Sequence, residues 1–285
     1  AKYIPTVTSV TPTGEDATST GKQGKVQIGT PKFTEGDVEV PLKVDADQPA
    51  KFVVNGTAVE KTTIDATKDG AKVGTYAINP LTGEVTFTPN KDFSGTLDAV
   101  TVQVRDENGT TATAKYTPTV TAVTPTGEDV TTTGKQGKVQ TGTPKFTEGD
   151  AEVPLKVDAD QPAKFVVNGT AVEETTIDAM KDGAKIGTYA INPLTGEVTF
   201  TPNKDFVGTP DAATVQVKDE NGTAAKAKYM PTVTAVTPTG EDATSTGKQG
   251  KGQTGTPKFT EGDAEVPLKV DADQPAKFVV NGTAV

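Results

Sequence analysis

The chain has 285 residues, and its 28 lysines and arginines against 38 aspartates and glutamates give a net charge of −10. It contains no cysteine, histidine or tryptophan, which excludes thiol nucleophiles, the usual physiological proton shuttle and the common nitrogen and sulfur metal ligands. The acidic balance disfavours nucleic acid and anionic membranes as partners, and no stretch approaches the roughly eighteen apolar residues of a membrane helix, so we expect no membrane insertion.

An internal repeat organises the sequence. The phrase GEVTFTPNKDF at Gly83–Phe93 occurs again unchanged at Gly196–Phe206, and Tyr3, Tyr116 and Tyr229 share the same spacing of 113 residues. A period of this length predicts tandem domains that are large enough to fold on their own cores without disulfides. We therefore expect the end of a preceding repeat at 1–11, β-sandwich repeats at 12–124 and 125–237, and the truncated N-terminal part of a third repeat at 238–285.

The predicted strands are short, and their apolar residues alternate with polar ones. In chain order the first is Val38–Val44, where the valines and a leucine share one face and charged residues take the other. No helical periodicity follows it, and Ile64–Lys72 indicates at most a short turn. Val85 and Phe87 then alternate with threonines in the repeated phrase, and Val100–Arg105 has the same pattern. This period of two predicts half-buried strands of an antiparallel sheet.

Turn residues separate these strands. Asn55-Gly56 is a dipeptide that two-residue hairpins prefer, because both residues tolerate positive φ, and Asn108-Gly109 has the same composition before the last strand. Asn79–Gly83 joins two further strands, with Pro and Gly at the positions a turn favours. Six to eight such strands per repeat indicate an all-β fold of tandem immunoglobulin-like β-sandwich repeats. We expect the large core side chains of the first repeat to be Phe33, Phe52, Tyr76, Phe87, Phe93 and Tyr116.

A polar, threonine-rich segment at Thr124–Gly134 lies between the repeats. A disordered linker is one interpretation. However, Tyr116–Val123 has the pattern of a final strand that runs directly into this segment, and proline and β-branched residues favour extended backbone. We therefore expect a short, stiff connection and an extended rod of repeats.

Long motifs carry a resemblance to a known family. The runs GEVTFTPNKDFSGT, AVTVQVRDENGTTATAKYTPTVTAVTPTGEDVT and GKQGKVQTGTPKFTEGD closely resemble the tandem fibril repeats of CshA-type streptococcal surface adhesins. More distantly, VTFTP and D-x-NG resemble cadherin-like and immunoglobulin-like modules of bacterial surface proteins. The family resemblance implies a fibrillar protein anchored in the cell wall, whose repeats form a stalk that carries a separate adhesive N-terminal region. Export and anchoring signals would then lie outside this segment.

Two groups of closely spaced acids are candidates for calcium. Asp45-Ala46-Asp47 and Asp106-Glu107-Asn108 place carboxylates together at predicted strand ends, and oxygen ligands suit Ca²⁺. The alternative is that Asp and Asn occur there for their turn geometry. Because no EF-hand spacing or calcium nonapeptide is present, we favour the turn interpretation and assign no metal ligands.

Two kinds of modification are also suggested by motifs. Asn55-Gly56-Thr57 and Asn108-Gly109-Thr110 match the N-glycosylation sequon, although hairpin turns explain them better. A lysine-to-Asn or lysine-to-Asp isopeptide crosslink would suit a chain without cysteine. It requires a buried lysine beside a buried acid, whereas Lys43 and Lys51 alternate onto polar faces.

We identify no catalytic, cofactor-binding or metal-binding residues and expect no cofactor. Paired carboxylates can serve a glycosidase, but the acids here fall on turns and solvent faces, so we expect no enzyme. Our hypothesis is a structural stalk that projects a distal adhesive domain from the cell surface. Its partners would be neighbouring repeats of the same chain and, through the distal domain, host surface or matrix proteins. The alternative is that the repeats themselves bind host matrix or salivary proteins weakly and multivalently.

Overall fold

The computed structural model describes residues 1–284, and these contain β-strands, turns and irregular segments but no helix. No helix in that part of the chain could therefore cross a membrane. The strands of the first repeat are β1 Thr13–Glu15, β2 Ala17–Lys22, β3 Gln27–Gly29, β4 Lys32–Thr34, β5 Leu42–Lys43, β6 Lys51–Val54, β7 Thr57–Val59, β8 Thr63–Lys68, β9 Ala71–Ile78, β10 Val85–Pro89, β11 Gly95–Thr96, β12 Val100–Asp106 and β13 Thr111–Thr121.

The second repeat has nearly the same strands. They are β14 Thr126–Glu128, β15 Val130–Lys135, β16 Gln140–Gly142, β17 Lys145–Thr147, β18 Leu155–Lys156, β19 Lys164–Val167, β20 Thr170–Ala171, β21 Thr176–Lys181, β22 Ala184–Ile191, β23 Val198–Pro202, β24 Ala213–Asp219 and β25 Ala224–Thr234. The remaining strands are β26 Thr239–Glu241, β27 Lys258–Thr260, β28 Val279–Val280 and β29 Thr283–Ala284. Side chains from residue 239 to 284 are almost all exposed.

Two larger sheets form the sandwich of each repeat, and β1 with β4 and β14 with β17 form separate two-stranded sheets. In the first repeat, a four-stranded sheet has the order β3-β10-β9-β8, and a larger sheet has the order β11-β13-β12-β6-β7, with β2 beside β13 and β5 beside β12. The second repeat has the corresponding sheets β16-β23-β22-β21 and β15-β25-β24-β19-β20, with β18 beside β24. The prediction of tandem β-sandwich repeats is therefore confirmed.

The core lies between these sheets and contains most of the predicted aromatic residues. Phe52, Tyr76, Phe87 and Tyr116 are at most 2% exposed. The ring of Tyr76 lies 5.3 Å from that of Phe87 and 6.1 Å from that of Tyr116, so aromatic contacts join the two sheets. The other two predicted core residues, Phe33 and Phe93, are partly buried and pack against the edge of this cluster.

One strand pair is parallel rather than antiparallel. β2 runs parallel to β13, from Ala17 opposite Tyr116 to Lys22 opposite Thr121, and β15 pairs with β25 in the same way. The antiparallel pairing predicted for the strands at Val85 and Val100 is confirmed, but the sequence pattern makes no prediction for β2. A parallel partner can be far away in sequence, and the alternation within one strand contains no information about it.

The predicted strand Val38–Val44 is also wrong in its first half. The Asp37 carboxylate accepts the amide hydrogen of Glu39 at 2.9 Å, and the Val40 amide donates to the Asp37 carbonyl at 3.0 Å. These bonds form a tight turn that leaves Val38 81% exposed. Only Leu42 and Lys43 belong to a strand. An Asp side chain that bonds the backbone two residues ahead stabilises a turn, and here it outweighs the alternating pattern.

The hairpin predicted at Asn55-Gly56 is confirmed, because both residues have positive φ, 50° and 78°, between β6 and β7. At Asn108-Gly109 only the glycine has positive φ. The segment Ile64–Lys72, where the sequence indicated a short turn, is a hairpin of β8 and β9 around Asp69-Gly70, which also have positive φ.

The predicted connection Thr124–Gly134 consists mostly of strands. β14 and nearly all of β15 lie inside it, and only Ala122–Pro125 separates β13 from β14. The passage from one repeat to the next is therefore shorter than the sequence indicated.

The chain folds into two compact units. The first contains Ala1–Thr126, Phe146–Lys156 and Lys218–Ala225, and the second contains Gly127–Lys145, Val157–Val217 and the residues from Lys226 onward. The first unit thus includes two short segments that the 113-residue period assigns to the second repeat.

Candidate functional site

The loop that follows β2 in the first unit holds the chain where it leaves the first repeat. Gln23, only 7% exposed, donates its backbone amide to the Thr121 carbonyl at 2.9 Å. Its side-chain oxygen accepts the amide hydrogen of Val123 at 3.1 Å, and Val123 is itself buried. The short passage after β13 is therefore fixed by backbone and side-chain hydrogen bonds.

The last residue of β2, directly before this loop, is a lysine that pairs with an acid of the segment Phe146–Lys156. The Nζ of Lys22 lies 2.9 Å from the Oδ2 of Asp150, and both residues belong to the first compact unit. The hydrogen bond from Lys22 lowers the pKa of the Asp150 carboxyl, helped by the amide of Glu152, and the bond to Asp150 raises the pKa of Lys22. Both shifts favour the charged pair at neutral pH.

A second set of contacts reaches the segment Lys218–Ala225. Lys25 forms an ion pair with Glu220, and the Asn221 side-chain amide donates to the Gln23 carbonyl at 2.7 Å. Gly24 has a φ of 76°, and a Cβ there would lie only 2.1 Å from the Asn221 Oδ1. Glycine is therefore required at this position both for its backbone conformation and for the space that Asn221 occupies.

The second compact unit repeats the first part of this arrangement. Lys135 lies 3.2 Å from Asp263, the Gln136 amide donates to the Thr234 carbonyl at 2.9 Å, and the Val236 amide donates to the Gln136 side chain at 3.4 Å. The pKa of Asp263 is lowered, first by the amide of Glu265 and then by Lys135. We call the loop Lys22–Lys25, together with Asp150, Glu220 and Asn221, the repeat joint, and the loop Lys135–Lys138 with Asp263 its second copy.

A partly buried polar cluster supports the strand that leads into the joint. In the first repeat, the Ser19 hydroxyl lies 2.6 Å from both the Gln27 Oε1 and the Tyr116 hydroxyl, and the Gln27 amide donates to the Thr119 carbonyl at 3.1 Å. These bonds connect β2, β3 and β13. Thr132, Gln140, Tyr229 and Thr232 form the same cluster in the second repeat. We call this cluster the polar tie.

The family model of the surface adhesin CshA repetitive domain matches residues 9–120, 122–233 and 235–285. The chain belongs to this family. The resemblance noted in the sequence is therefore confirmed, and the chain is composed of repeats of a type found in surface adhesins, which are extracellular surface proteins. The boundaries at 11/12, 124/125 and 237/238 stay predictions.

No curated protein matches the chain. Among solved structures, a tandem of titin domains I9–I11 is 11% identical, with a TM-score of 0.31, and the alignment covers 82% of this chain and 68% of that one. Protocadherin gamma B7 domains 1–4 are 14% identical, with a TM-score of 0.29 and coverage of 90% and 60%. Mouse cadherin-23 EC22–24 is 13% identical, with a TM-score of 0.29 and coverage of 79% and 65%. This chain thus spans less than two thirds of both cadherin chains.

The acids considered for calcium are engaged in turns of the CshA-type repeats. Asp45 accepts the amide hydrogens of Asp47 and Gln48 at 2.9 Å, and these bonds lower its pKa. Asp106 is fully buried and accepts the amide hydrogen of Thr110 at 2.7 Å. Within residues 1–284, no three carboxylates come together in a way that could hold a metal ion. The hydrogen bonds agree with the turn interpretation of both groups.

The residues considered for modification are exposed or partly exposed. Asn55 occupies the tip of the β6–β7 hairpin. Lys51 pairs with the exposed Glu60 at 2.6 Å, and Lys43 lies 3.7 Å from Asp45. Neither lysine is paired with a buried acid in these contacts, although an isopeptide crosslink requires such an acid.

Sequence reasoning did not assign a role to the joint residues. Lys22 and Asp150 come from the motifs GKQGK and TEGD, and each motif occurs three times without change, at 21–25, 134–138 and 247–251 and at 34–37, 147–150 and 260–263. The identity of each motif in all three copies was the one feature of the sequence that could have indicated a shared role. It could not show that GKQGK of one repeat contacts TEGD of the next, because the two motifs that pair are far apart in the chain.

Proposed function

We propose that these repeats form part of the stalk of an adhesive fibril, anchored in a bacterial cell wall, which projects a distal adhesive domain away from the cell. Membership of the surface adhesin repeat family supports the adhesive context. The repeat joint is the observation that carries the more specific proposal. A stalk needs connections that transmit position from one repeat to the next, and a repeat that acted alone would not need them.

Three features of the joint support this role. The passage Ala122–Pro125 is short, and the buried amide of Val123 is bonded to Gln23. Lys22 and Lys25 form ion pairs with two different segments, Phe146–Lys156 and Lys218–Ala225. A connection that is held by several spaced contacts resists bending more than one held by a single contact. Because the array is made of nearly identical units, its stability is roughly the sum of the unit and neighbour terms.

The composition of the repeats is consistent with a spacer. The net charge of −10 makes neighbouring fibrils repel one another, which favours separate stalks over aggregates. The large aromatic residues of the first repeat are mostly used in its core. We propose wall anchoring and a distal adhesive domain for the whole surface protein to which these repeats belong.

The test displays an epitope tag at the outer end of arrays with different numbers of repeats on a bacterial surface. We expect capture by antibody-coated beads to rise with the number of repeats, while binding of soluble antibody fragments stays constant. The matched control replaces the repeats by a Gly/Ser linker with the same number of residues, which should capture fewer beads because a flexible chain is compact. Equal capture by linker and repeats would contradict a stalk that depends on folded joints. Beads without antibody that bind in proportion to repeat number would indicate that the repeats are themselves adhesive.

A further inference from the structure

The first and second repeats each open into a groove at the same place in the fold. In the first repeat, a groove of about 860 Å³ lies between β7, at the edge of the larger sheet, and β8, at the edge of the four-stranded sheet. The corresponding groove of the second repeat lies between the β19–β20 hairpin and β21 and has a volume of about 610 Å³. We call these the first and second edge grooves. Each lies entirely within one compact unit.

The backbone of β8 faces the first edge groove with unused hydrogen-bonding groups. The Thr62 carbonyl accepts the Ile78 amide at 2.9 Å, so residues 62 and 64 direct their peptide groups toward β9. Alternation along an antiparallel strand then directs those of Thr63 and Asp65 away from β9 and toward the groove. Among the described residues no further strand pairs with β8 on that side.

The second edge groove has the same geometry. The Thr175 carbonyl accepts the Ile191 amide at 2.9 Å, which leaves the peptide groups of Thr176 and Asp178 directed outward. Farther along β21, the Met180 carbonyl accepts the Asp211 amide at 2.8 Å, and this bond closes one end of the groove. Unpaired backbone at a sheet edge is a template on which another extended segment can add as a strand.

Apolar side chains line both grooves. Val54 and Ile64 line the first and Val167 and Ile177 line the second. Val54 and Val167 are 37% and 38% exposed, so each groove presents an apolar wall to solvent. At the base, the Tyr189 hydroxyl donates to the Asp211 carbonyl at 2.9 Å. A strand added here would place every second side chain against this apolar surface.

The charges around the grooves select the occupant. In the first groove the lining acids are Glu60, Asp65 and Asp98, with Lys61 beside them. Lysines outside the lining already pair with these acids, Lys51 with Glu60, Lys72 with Asp65 and Lys68 with Asp98.

The second groove is more acidic, because Glu174 stands at the position that corresponds to Lys61. Lys185 pairs with Asp178, but among the described residues no lysine or arginine lies within 4.0 Å of the carboxylates of Glu174 or Asp211. Met180 also replaces Thr67 in the lining. The second groove is therefore both more apolar and more negative than the first.

We propose that the edge grooves bind extended segments of another protein in which alternate residues are apolar and the flanking residues are lysine or arginine. The segment adds as a strand to β8 or β21, with its backbone paired to Thr63 and Asp65 or to Thr176 and Asp178. The second groove binds such a segment more tightly than the first. A second copy of this chain is a poor occupant, because its net charge of −10 opposes the acidic rim. This activity goes beyond the stalk role, and repeated grooves would add weak contacts into avidity.

The test uses the whole chain, labelled with ¹⁵N, and the synthetic peptide Lys-Lys-Val-Thr-Val-Thr-Val-Lys-Lys. We expect amide shifts at Thr176 and Asp178 to saturate first, followed by those at Thr63 and Asp65 at higher peptide concentration. The control peptide Glu-Glu-Val-Thr-Val-Thr-Val-Glu-Glu should leave these amides unchanged. Shifts of equal size with both peptides, or no shifts with either, would overturn the proposal. Shifts of the same amides that depend on protein concentration in the absence of peptide would also overturn the proposal, because they would identify a second copy of this chain as the occupant.

Two variants separate backbone pairing from charge. Thr176→Pro removes an outward amide at an edge position where proline is tolerated, and it should abolish binding at the second groove and leave the first groove as an internal control. Asp178→Lys should weaken binding of the lysine-flanked peptide there by roughly three- to tenfold at low ionic strength. If both variants are folded by their amide spectra and bind as the parent chain does, the edge grooves are not the binding site.

Discussion

The Nζ of Lys22 lies 2.9 Å from the Oδ2 of Asp150, and the same two motifs place Lys135 3.2 Å from Asp263 one period later. Each pair lies within one compact unit. Because the contact recurs at the same spacing, we infer that it is a regular feature of the array and not specific to one pair of loops. Since the side chains stay partly exposed, the pair positions the loops more than it adds to the stability of the fold.

Acid should release this pair. The pKa of Asp150 is lowered from 3.8 by its bond to Lys22, so its stabilising effect is complete above pH 3.8 and is lost as the pH falls through the lower, folded-state pKa. The pKa of Lys22 is raised from 10.5, so its contribution is lost only above that value. We expect ¹⁵N relaxation of the loop Lys22–Lys25 to show faster local motion only as the pH falls through the folded-state pKa of Asp150, which lies below 3.8.

The variant Asp150→Asn should give the mobile loop already at neutral pH and remove this acid transition. Asp263→Asn is the matched control, because it alters only the second copy of the joint. An acid transition that persists at Lys22–Lys25 in Asp150→Asn would mean that another group is responsible.

Gly24→Ala and Gly137→Ala form a matched pair for the joint. Both glycines have positive φ, 76° and 73°, but only at Gly24 would a Cβ meet another residue, the Asn221 side chain. Each variant should lose about 1–2 kcal/mol of unfolding free energy from backbone strain. Only Gly24→Ala should also break the bond from Asn221 to Gln23, seen as a shift of the Asn221 side-chain amide signals. Unchanged Asn221 signals in that variant would contradict the close approach described for the joint.

The polar tie should contribute measurably to stability. Gln27 is 6% exposed and bonds both Ser19 and Thr119, so Gln27→Ala removes both bonds, takes the side-chain partner from the partly buried Thr119 carbonyl and should cost about 1–3 kcal/mol in urea unfolding. Gln140→Ala should do the same in the second repeat. Gln253→Ala is the control, since Gln253 bonds Ser245 in an exposed setting, and it should have little effect. Equal effects of all three changes would contradict the role given to burial.

Local features of this fold could be predicted from the sequence, because they depend on neighbouring residues. Asn55-Gly56 determines its hairpin through backbone conformation alone, and Phe87 is placed in the core by the alternation within β10. The prediction of a strand at Val38–Val44 was wrong in its first half because of another interaction between neighbouring residues. The Asp37 hydrogen bond favours a turn there, and the alternation of apolar and polar residues does not indicate how stable that turn is.

Long-range features could not be predicted in this way. The partner of β2 is β13, about 100 residues away, and either parallel or antiparallel pairing would satisfy the alternation in β2. Likewise, Lys22 and Asp150 are charged residues of types that usually lie on the surface, and their own segments do not indicate that they pair. Only the folded chain brings them together. The edge grooves are similar, since Val54 and Ile64 both have ordinary strand patterns and the groove exists because no strand within residues 1–284 covers them.

Alkaline unfolding tests the aromatic core. Burial raises the pKa of Tyr76, Tyr116, Tyr189 and Tyr229, most strongly for Tyr76 and Tyr189. A phenol whose pKa is raised in the folded state stabilises the fold below its unfolded value of 10.0, and this stabilisation is lost as the pH rises toward the folded-state value. Unfolding free energy should therefore fall above pH 10.0.

Tyrosinate absorbance measures this process directly. In a Tyr3→Phe background, where only the four buried tyrosines report, we expect the absorbance to rise together with the loss of β-structure in circular dichroism, because the rings ionise when the sandwich opens. Tyr76→Phe and Tyr189→Phe should shift the transition of their own repeat to higher pH, since each removes one of the strongly shifted phenols. Gradual ionisation of all four rings while the circular dichroism stays native would contradict a core in which Tyr76 and Tyr116 join the two sheets.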